Sequence, residues 1–545
     1  ALAALAVGLG LALFLVYPVA AALRFPSLAH YAGLWHNPRW ISATVNTLIM
    51  TALATGTATT VGFLMAYAVT RTNVPWRGFF SIIAILPLFS PPFMVSYAYR
   101  YLLFGPNGFY TNTLLNKTLH LVDRRLSLMN WDWLGFGGWP LWAVETAAFF
   151  PLAFLVISGV LRAIPQSLEY AARNLGAAPG WVFWTVTFPL ARPGVAGAGL
   201  LVAIYILADF GNPLILTKFN FPLLATEAYD SLVSDAASAN ALPNAAVLAS
   251  ALIVPALVLF FLQRFWVSRR LYTTIGGKGS QLPAPPTPAL VRWGLFGCCL
   301  VVSLLVLSVY GAILSSSLVR SWGRTWQLDL RHWILAMGSW NEVRNSLVFA
   351  LFTGVIATGV ALLAAYLTAR QRFLGRGLMD FLAILPAAIP GIFLGLGYRI
   401  AFGGEPFELY GTAAIIVLAF VFWNVPLGYQ AGLAGFAQIE RHLEQAAHNL
   451  GASSLRAFWD VDAPLLKPAF ISSFVVAFVR AITTLSVAIF LVTPQWRVTT
   501  VIILDRVNSG EYGVASALTS LLLFLTLGCF GLARLALGRQ LRVFT

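Results

Sequence analysis

The sequence has few charged residues, and this shortage decides its class. Only 10% of the 545 residues are charged, whereas 59% are hydrophobic and the mean hydropathy is +0.81. A soluble domain carries about 25% charged residues, so an ordinary soluble fold is excluded. Several runs of more than 18 nearly uncharged residues are long enough to cross a hydrocarbon core of roughly 30 Å. The composition predicts an all-α polytopic membrane protein.

Further absences exclude other functions. No GxxxxGK[ST] phosphate loop is present, because "GGKGS" at 276–280 has the wrong spacing, so ATP hydrolysis needs a separate subunit. No span carries a cluster of His, Asp, Glu or Cys at metal-ligand spacing. The three cysteines lie in apolar runs and predict no disulfide. We therefore expect no catalytic residue, no metal site and no cofactor in this chain, which is predicted not to be an enzyme.

Basic residues are abundant, and they lie mainly in the loops between the predicted spans. The net charge of +15 could suggest nucleic acid, yet the arginines cluster in short loops between spans, as the positive-inside rule expects. One set of loops contains Arg71, Arg173, Arg370 and Arg456, whereas the opposite loops are longer and mixed in sign. The basic set is predicted to be cytoplasmic, together with both termini, and no nucleic-acid partner is expected.

Twelve spans are predicted, six in each half of the chain. The first six lie near 2–23, 44–69, 79–103, 140–162, 195–216 and 243–266, and the second six near 291–316, 343–368, 378–402, 410–434, 469–492 and 512–536. Residues 268–290 are rich in Gly and Pro and predict a cytoplasmic linker between a first half, 1–267, and a second half, 291–545. The chain begins at Ala1 inside an apolar run, so we expect a basic leader to precede it.

The two halves repeat each other. At an offset of 299, "AILPLFSP" (84–91) matches "AILPAAIP" (383–390), and the further matches include Asn46 with Asn345, Arg71 with Arg370, and Tyr99–Arg100 with Tyr398–Arg399. For residues 169–194 against 444–469 the offset falls to 275, and 13 of 26 positions are identical. The first half therefore carries 24 extra residues between these blocks. Repeats of one orientation predict a pseudo-two-fold axis along the membrane normal, with a pathway between the halves.

The repeated polar loops share one set of features. Each predicts a short helix with an acid in its first turn, two alanines on one face and a glycine where the helix stops, followed by a proline thirteen residues later. These residues are Glu169, Ala171, Ala172, Gly176 and Pro189 in the first loop, and Glu444, Ala446, Ala447, Gly451 and Pro464 in the second. A single copy would be explained equally well as a plain connection between spans. Duplication at matched spacing favours a helix that docks on another protein.

The loop motifs "EYAARNLG" and "EQAAHNLG" resemble the EAA loop of ABC importer permeases, and the resemblance covers nearly the whole chain as a fused pair of permease halves. It implies a type I importer permease fold, with EAA loops near 166–194 and 441–469. In that family the loop forms a coupling helix that docks on a cytoplasmic ATPase. The implied partners are two ATPase copies, which bind ATP and Mg, a periplasmic substrate-binding protein and the bilayer of a bacterial inner membrane.

A finer resemblance concerns the substrate. The segments "LADFGNPLILTKFNFPLLATEAY" (207–229) and "FVRAITTLSVAIFLVTPQW" (478–496) are similar to segments of ferric-iron-type permeases. That group implies ferric iron as the transported solute, with thiamine, phosphonate, polyamine or sugar phosphate as alternatives. A secondary transporter driven by an ion gradient is the rival from another class, but it should place acids or half-helices at mid-membrane in both halves.

Ionisable residues within spans usually face a cavity or a partner. Arg100 and Arg399 occupy equivalent positions near the outer ends of the third spans, each beside a tyrosine, Tyr99 or Tyr398. They either snorkel to the interface or form a basic rim for an anionic substrate. Asp209 and Arg480 lie deeper, in the two fifth spans. They either line the central pathway, where they could pair as ions, or make local hydrogen bonds within each half.

Overall fold

The computed structural model describes residues 2–103, 138–217, 221–234, 238–267, 287–322, 325–451, 453, 456 and 458–537. Most of the predicted linker and of the insertion in the first half lies outside these residues. The described chain is helical apart from its loops and one hairpin, in which β1 (Val319–Ser321) pairs antiparallel with β2 (Thr325–Leu328), with Val319 opposite Leu328.

The helices follow the apolar runs of the sequence. In the first part of the chain they are α1 (Leu2–Leu11), α2 (Tyr17–Arg24), α3 (Leu28–His36), α4 (Pro38–Arg71), α5 (Arg77–Ile85), α6 (Phe93–Leu103), α7 (Trp139–Ala163), α8 (Gln166–Asn174), α9 (Pro179–Val182), α10 (Phe188–Leu207), α11 (Gly211–Leu216), α12 (Leu224–Val233) and α13 (Ala241–Phe261). One-turn π or 3₁₀ segments join several of these, at Ala12–Val16, Leu86–Phe89, Phe183–Thr187 and Leu262–Val267.

The second part repeats this pattern. Its helices are α14 (Ala289–Leu318), α15 (Arg331–Met337), α16 (Trp340–Arg370), α17 (Arg376–Ile384), α18 (Gly391–Ala401), α19 (Ala413–Gln438), α20 (Arg441–Asn449), α21 (Ala463–Leu465), α22 (Lys467–Thr483), α23 (Thr499–Asn508) and α24 (Tyr512–Leu537). The short π and 3₁₀ segments are Leu385–Ala388, Phe458–Asp462 and Ala488–Phe490.

Within the described residues, nine helices are long and apolar enough to cross a membrane, or eleven if each of two bent pairs counts as one span. The remaining predicted span, 469–492, corresponds to α22, which has 17 residues and ends at Thr483. The prediction of a polytopic helical membrane protein is confirmed. The count of twelve is compatible with these helices but is not reached by them.

The described residues form two compact units. The first unit contains Gly33–Glu227 and Val254–Trp333, and the second unit contains Ala1–Ala32, Ala228–Ile253 and Ile334–Thr545. Each unit therefore includes the leading helix of the opposite sequence half. The boundaries at 267 and 291, which follow the sequence repeat, stay a prediction.

Equivalent hydrogen bonds in the two units reproduce both sequence offsets. The amide of Asn46 donates to the Pro222 carbonyl at 3.1 Å, and the amide of Asn345 donates to the Arg497 carbonyl at 3.2 Å. The next residue along each helix accepts a backbone N–H: Thr47 from Leu224 at 3.0 Å, and Ser346 from Thr499 at 2.7 Å. The residues of the two long helices differ by 299 and their partners by 275, as the sequence alignment predicts.

Proline interrupts the third predicted span of each half. The pair Arg77–Phe89 and Phe93–Tyr99 is bent by 105°, and the pair Arg376–Ala388 and Gly391–Ala401 by 112°. Proline cannot donate an intrahelical hydrogen bond and clashes with the preceding turn. The prolines at these bends, Pro87, Pro91, Pro386 and Pro390, therefore account for the two kinks.

Small residues let the central helices pack closely. A Cβ added to Gly62 of α4 would lie 2.6 Å from Ala153 Cβ of α7, and one added to Gly428 of α19 would lie 2.8 Å from Ala361 Cβ of α16. At the offset of 299 Gly62 aligns with Ala361, and at the offset of 275 Ala153 aligns with Gly428. The two contacts are therefore equivalent, but the glycine and the alanine have changed places between the paired helices. Lipid tails are as apolar as the side chains, so close backbone packing supplies much of the attraction between membrane helices.

The leading helices are fixed by different contacts in each unit. In the second unit, the Tyr398 hydroxyl donates to the Phe14 carbonyl at 2.5 Å, and the rings of Phe14 and Phe422 stack with centroids 5.0 Å apart. In the first unit, Tyr310 of α14 shares a 2.8 Å hydrogen bond with Ser90. Buried hydroxyl groups need such partners because an unmet hydrogen bond is costly in hydrocarbon.

The close contact at Gly62 yields a stability prediction. Gly62→Leu is expected to lower the free energy of unfolding by about 1–3 kcal/mol, because the added carbons overlap Ala153 and the α7 backbone. Gly56→Leu is the matched control on the same helix, since nothing lies within 4 Å of a Cβ there. Thermal denaturation of the purified protein measures both. Equal loss of stability in the two variants would contradict this packing.

Candidate functional site

Each repeated loop folds into a short helix that stops at a glycine. Helices α8 and α20 both have nine residues. Gly176 and Gly451 follow them with φ of +87° and +84°, a left-handed conformation that glycine adopts at little cost. After α8, the N–H of Gly176 donates to the Arg173 carbonyl at 2.9 Å and that of Ala177 to the Ala172 carbonyl at 3.1 Å. This double hydrogen bond is a Schellman stop, so the predicted glycine stop is confirmed.

Glu169 of α8 points into the protein. The residue is only 4% exposed, and its two carboxylate oxygens have different partners. The Thr187 hydroxyl donates to Oε1 at 2.7 Å, and Nη1 of Arg71 lies 3.6 Å from Oε2. Because Arg71 is buried too, removing either charge would leave the other unpaired at a costly position. Glu169 therefore anchors α8 to α4 and to the turn that precedes α10.

Arg71 also donates hydrogen bonds to backbone carbonyls at the C-terminal end of α7. Nη2 of Arg71 donates to the carbonyls of Leu161 and Ile164, the latter at 2.6 Å. In the second unit, Nη2 of Arg370 donates to the Ile439 carbonyl at 2.9 Å. The last carbonyls of a helix have no partner within that helix, so an arginine from the neighbouring span supplies one in both units. The side chain of Glu444 lies outside the described residues, so the ion pair between arginine and glutamate is described only for the first loop.

An apolar stripe covers the outward face of each short helix. The stripe consists of Leu168 and Ala171 of α8 with Leu175 directly after it, and of Leu443 and Ala446 of α20 with Leu450 directly after it. Leu175 and Leu450 are both 89% exposed. Positions i, i+3 and i+7 share one helix face, and large exposed apolar groups mark interaction surfaces. The sequence analysis missed these four leucines, although their identity at matched positions was a usable signal.

The remaining loop residues frame these helices. Ala172 and Ala447 are half-buried at equivalent positions. Pro189 and Pro464 are each the second residue of a helix, α10 and α21. A π turn, Phe183–Thr187 or Phe458–Asp462, directly precedes each of these helices, so both prolines lie where the regular helical hydrogen bonding is already interrupted. The role of these four residues in coupling stays a prediction.

Asp209 lies in the break between α10 and α11, where another acid acts on it. The N–H of Asn212 donates to Asp209 Oδ2 at 3.1 Å, and Glu145 of α7 interacts electrostatically with the Asp209 carboxyl. Ser96 of α6 in turn donates to the Asn212 side chain at 2.6 Å. Glu145 was missed by the sequence analysis, although a lone acid inside a predicted span is itself a signal.

Arg480 has a different local partner. Its guanidinium lies over the Trp423 ring at 4.5 Å from the centroid, a favourable cation–π distance. Arg480 belongs to the second unit and Asp209 to the first. Each therefore has a partner inside its own unit, as the local-hydrogen-bond alternative expected for Asp209. Their pairing across a pathway stays a prediction.

The outer tyrosine–arginine pairs are not equivalent in their contacts. Tyr398 is fully buried and holds the leading helix through Phe14, while Arg399 lies over the Tyr410 ring at 5.3 Å. Tyr99 is buried as well. The side chain of Arg100 lies outside the described residues. A basic rim at these positions stays a prediction.

Comparison with known families decides the class of this protein. The family model described as "Binding-protein-dependent transport system inner membrane component" matches residues 58–272 and again residues 357–540, which together are well over half of the chain. The chain belongs to this family. Two matches in one chain confirm the predicted fusion of two permease halves, and the protein is a component of the inner membrane.

Individual relatives of this permease include ferric transport proteins. It is 34% identical over 470 residues to the ferric transport system permease protein FbpB of Actinobacillus pleuropneumoniae, covering 85% of this chain and 66%, just under two thirds, of the relative. A protein of Haemophilus influenzae named as a ferric transport system permease, FbpB 1, is 31% identical over 502 residues, covering 89% of this chain and 77% of the relative. A 2-aminoethylphosphonate transport system permease of Salmonella paratyphi A is 29% identical over 233 residues, covering 39% and 83%.

The anchoring role of Arg71 in this permease is testable. Arg71→Ala is expected to lower the free energy of opening α8 by about 1–3 kcal/mol, because Glu169 and two carbonyls lose a buried partner. Amide hydrogen exchange across 166–174 should accelerate by about tenfold or more. Arg192→Ala, which removes an exposed arginine nearby, is the control and should leave that exchange unchanged. If both variants exchange at the wild-type rate, Arg71 does not hold the helix.

Proposed function

We propose that this chain is the transmembrane permease subunit of an ATP-driven importer that passes ferric iron from a periplasmic binding protein to the cytoplasm. The observation that carries the proposal is the pair of matched helices, α8 and α20, each presenting the same apolar stripe in a chain that matches the family twice. The iron assignment is supported by the names of the two ferric transport relatives, which align over most of the chain.

The two stripes would be the docking surfaces for the subunit that supplies the energy. An exposed stripe of two leucines and an alanine on a short, firmly anchored helix fits a hydrophobic groove. One ATPase copy would dock on each stripe, so two copies would bind per chain. ATP and Mg would be held by those subunits, and the permease itself would carry out no covalent chemistry. Its task would be to convert ATPase closure into a shift between two conformations.

The transport cycle follows from alternating access. ATP binding would draw the two ATPase copies and their docked helices together, opening the permease toward the loaded binding protein. Hydrolysis would reset it toward the cytoplasm. The basic loops containing Arg71, Arg173 and Arg370 support a cytoplasmic position for α8 and α20. By the same rule the two termini would be cytoplasmic.

The docking role predicts loss of the ATPase. The double variant Leu175→Asp and Leu450→Asp should fold but lose its co-purifying ATPase, because a buried unpaired carboxylate at each groove is costly. ATPase recovered per mole of permease, measured on affinity-purified complexes, is the readout. Leu374→Asp is the control, since Leu374 is fully exposed beside the basic loop after α16. Retention of the ATPase in the double variant would remove the docking proposal, whereas a wild-type chain that purifies and transports without any ATPase would favour an ion-gradient transporter.

The substrate assignment is tested by reconstitution. The permease, its ATPase and its binding protein in liposomes should accumulate radioactive ferric iron only when ATP is supplied. 2-Aminoethylphosphonate is the comparison solute, because a relative over part of the chain is named for it. ATP-dependent accumulation of the phosphonate without iron would contradict the iron assignment while leaving the permease class intact.

A further inference from the structure

Aromatic rings join the start of α14 to the start of α5 within the first unit. Phe296 of α14 contacts Trp76 and Phe80 edge-on, with ring centroids 5.7 Å apart in both pairs. Its ring also contacts that of Trp293, with centroids 5.5 Å apart. Phe80 is fully buried, whereas both tryptophans are exposed. The two tryptophans are therefore held on one surface of the unit through their shared contact with Phe296.

An arginine follows or precedes each of these tryptophans, and neither arginine has an acidic partner. Arg77 Nε donates to the Val74 carbonyl at 3.3 Å. The guanidinium of Arg292 lies over the Trp293 ring, 5.2 Å from its centroid, and Arg292 Nε is buried without a hydrogen-bond partner. In the part of the chain that the structure describes, no ion pair includes either arginine. The α5–α14 surface is the set Trp76, Arg77, Arg292 and Trp293.

The backbone of Trp76 has a conformation that suits glycine. Its φ is +59°, in the left-handed region that is unfavourable for a residue with a Cβ. At the offset of 299 the equivalent residue is Gly375, with φ of +90°, so glycine forms this turn in the second half. Strained residues cluster at binding sites. Trp76 remains 65% exposed despite its contact with Phe296, which leaves most of its side chain for a partner outside the chain.

Exposed apolar side chains continue from Trp76 along α5. Phe79 and Ile82 follow at intervals of three residues and are both exposed, and residues at this spacing lie on one helix face. The face leads from the arginine at the start of α5 into the bent span that begins at Arg77. A cationic end joined to an apolar track matches the two parts of a phospholipid, its phosphate headgroup and its acyl chains.

We propose that the α5–α14 surface binds the phosphate headgroup of an anionic phospholipid, with an acyl chain along the exposed face of α5. Guanidinium groups bind phosphate oxygens through paired N–H donors, and tryptophan is enriched at the level of lipid headgroups. Basic groups between helices on the cytoplasmic side recognise anionic headgroups, and the positive-inside rule would place this end of the spans there. The bound lipid would link α5 to the start of α14.

The linker that precedes α14 is the competing occupant of this surface. Residues 268–288 contain Arg269, Arg270 and Lys278 but no Asp or Glu. This segment therefore adds positive charge to the chain before Arg292 and supplies no counter-charge. Charge complementarity favours an anion from outside the chain, and an anionic lipid is the partner that also covers the apolar face of α5.

Native mass spectrometry of the complete chain in detergent measures this binding, with phosphatidylglycerol and phosphatidylcholine of equal acyl chains as probes. The wild type should bind one phosphatidylglycerol about tenfold more tightly than phosphatidylcholine, because two arginines face the phosphate. The double variant Arg77→Gln and Arg292→Gln should lose this preference. Trp76→Gly, which copies the second half, should weaken phosphatidylglycerol binding by about threefold or more, because an apolar contact with the lipid is lost.

Arg376→Gln is the matched control, since Arg376 aligns with Arg77 but is exposed and follows a glycine. It should leave the preference for phosphatidylglycerol unchanged. Equal binding of the two lipids by the wild type overturns the proposal, as does a preference that survives in the double variant. A control that loses the preference as fully as the double variant also overturns it, because general surface charge would then explain the binding. None of these outcomes depends on which solute the permease transports.

Discussion

The placement of the repeated loops depends on how the last carbonyls of α7 and α19 are satisfied. A helix end leaves carbonyls without partners, and near hydrocarbon that deficit is expensive. The side chains of Arg71 and Arg370, each on the neighbouring long helix, donate hydrogen bonds to these carbonyls. In the first unit the same guanidinium also faces the buried carboxylate of Glu169. The position of α8 is therefore tied to α4 and α7 through one side chain, which makes the short helix a rigid extension of the spans.

The sequence predicted what depends on local chemistry and on repetition. Long apolar runs, proline kinks and glycine stops are each encoded within a short stretch of sequence. The repetition of these features at fixed offsets showed that two permease halves are fused in one chain. It could not reveal which way Glu169 points, because burial is decided by Arg71 and Thr187, which lie far from it in the chain. The exposed leucines of the stripes were missed because an apolar residue next to an apolar span is expected to be buried. Their significance depends on their solvent exposure, which the sequence does not show. Glu145 gained significance only once Asp209 was found beside it.

The two halves share a framework and differ in their polar interiors. The framework includes the paired hydrogen bonds from Asn46 and Asn345 and the Gly–Ala contact that is reversed between α4–α7 and α16–α19. The interiors diverge where the first half has Glu145 and Asp209 and the second has Phe420 and Thr484. Such a division is expected when a duplicated scaffold is held constant by packing while positions outside the shared contacts are free to diverge.

The exchange of leading helices has a consequence for biosynthesis. Helix α2 packs against Gly397 of α18 in the second unit, yet it is translated long before that glycine. It must wait in the bilayer until nearly four hundred residues have followed. Likewise the first unit lacks α14 until translation has passed the linker. Neither unit can finish folding on its own during synthesis, so a single continuous chain guarantees that each unfinished unit finds its missing helix in equal number and in the same membrane.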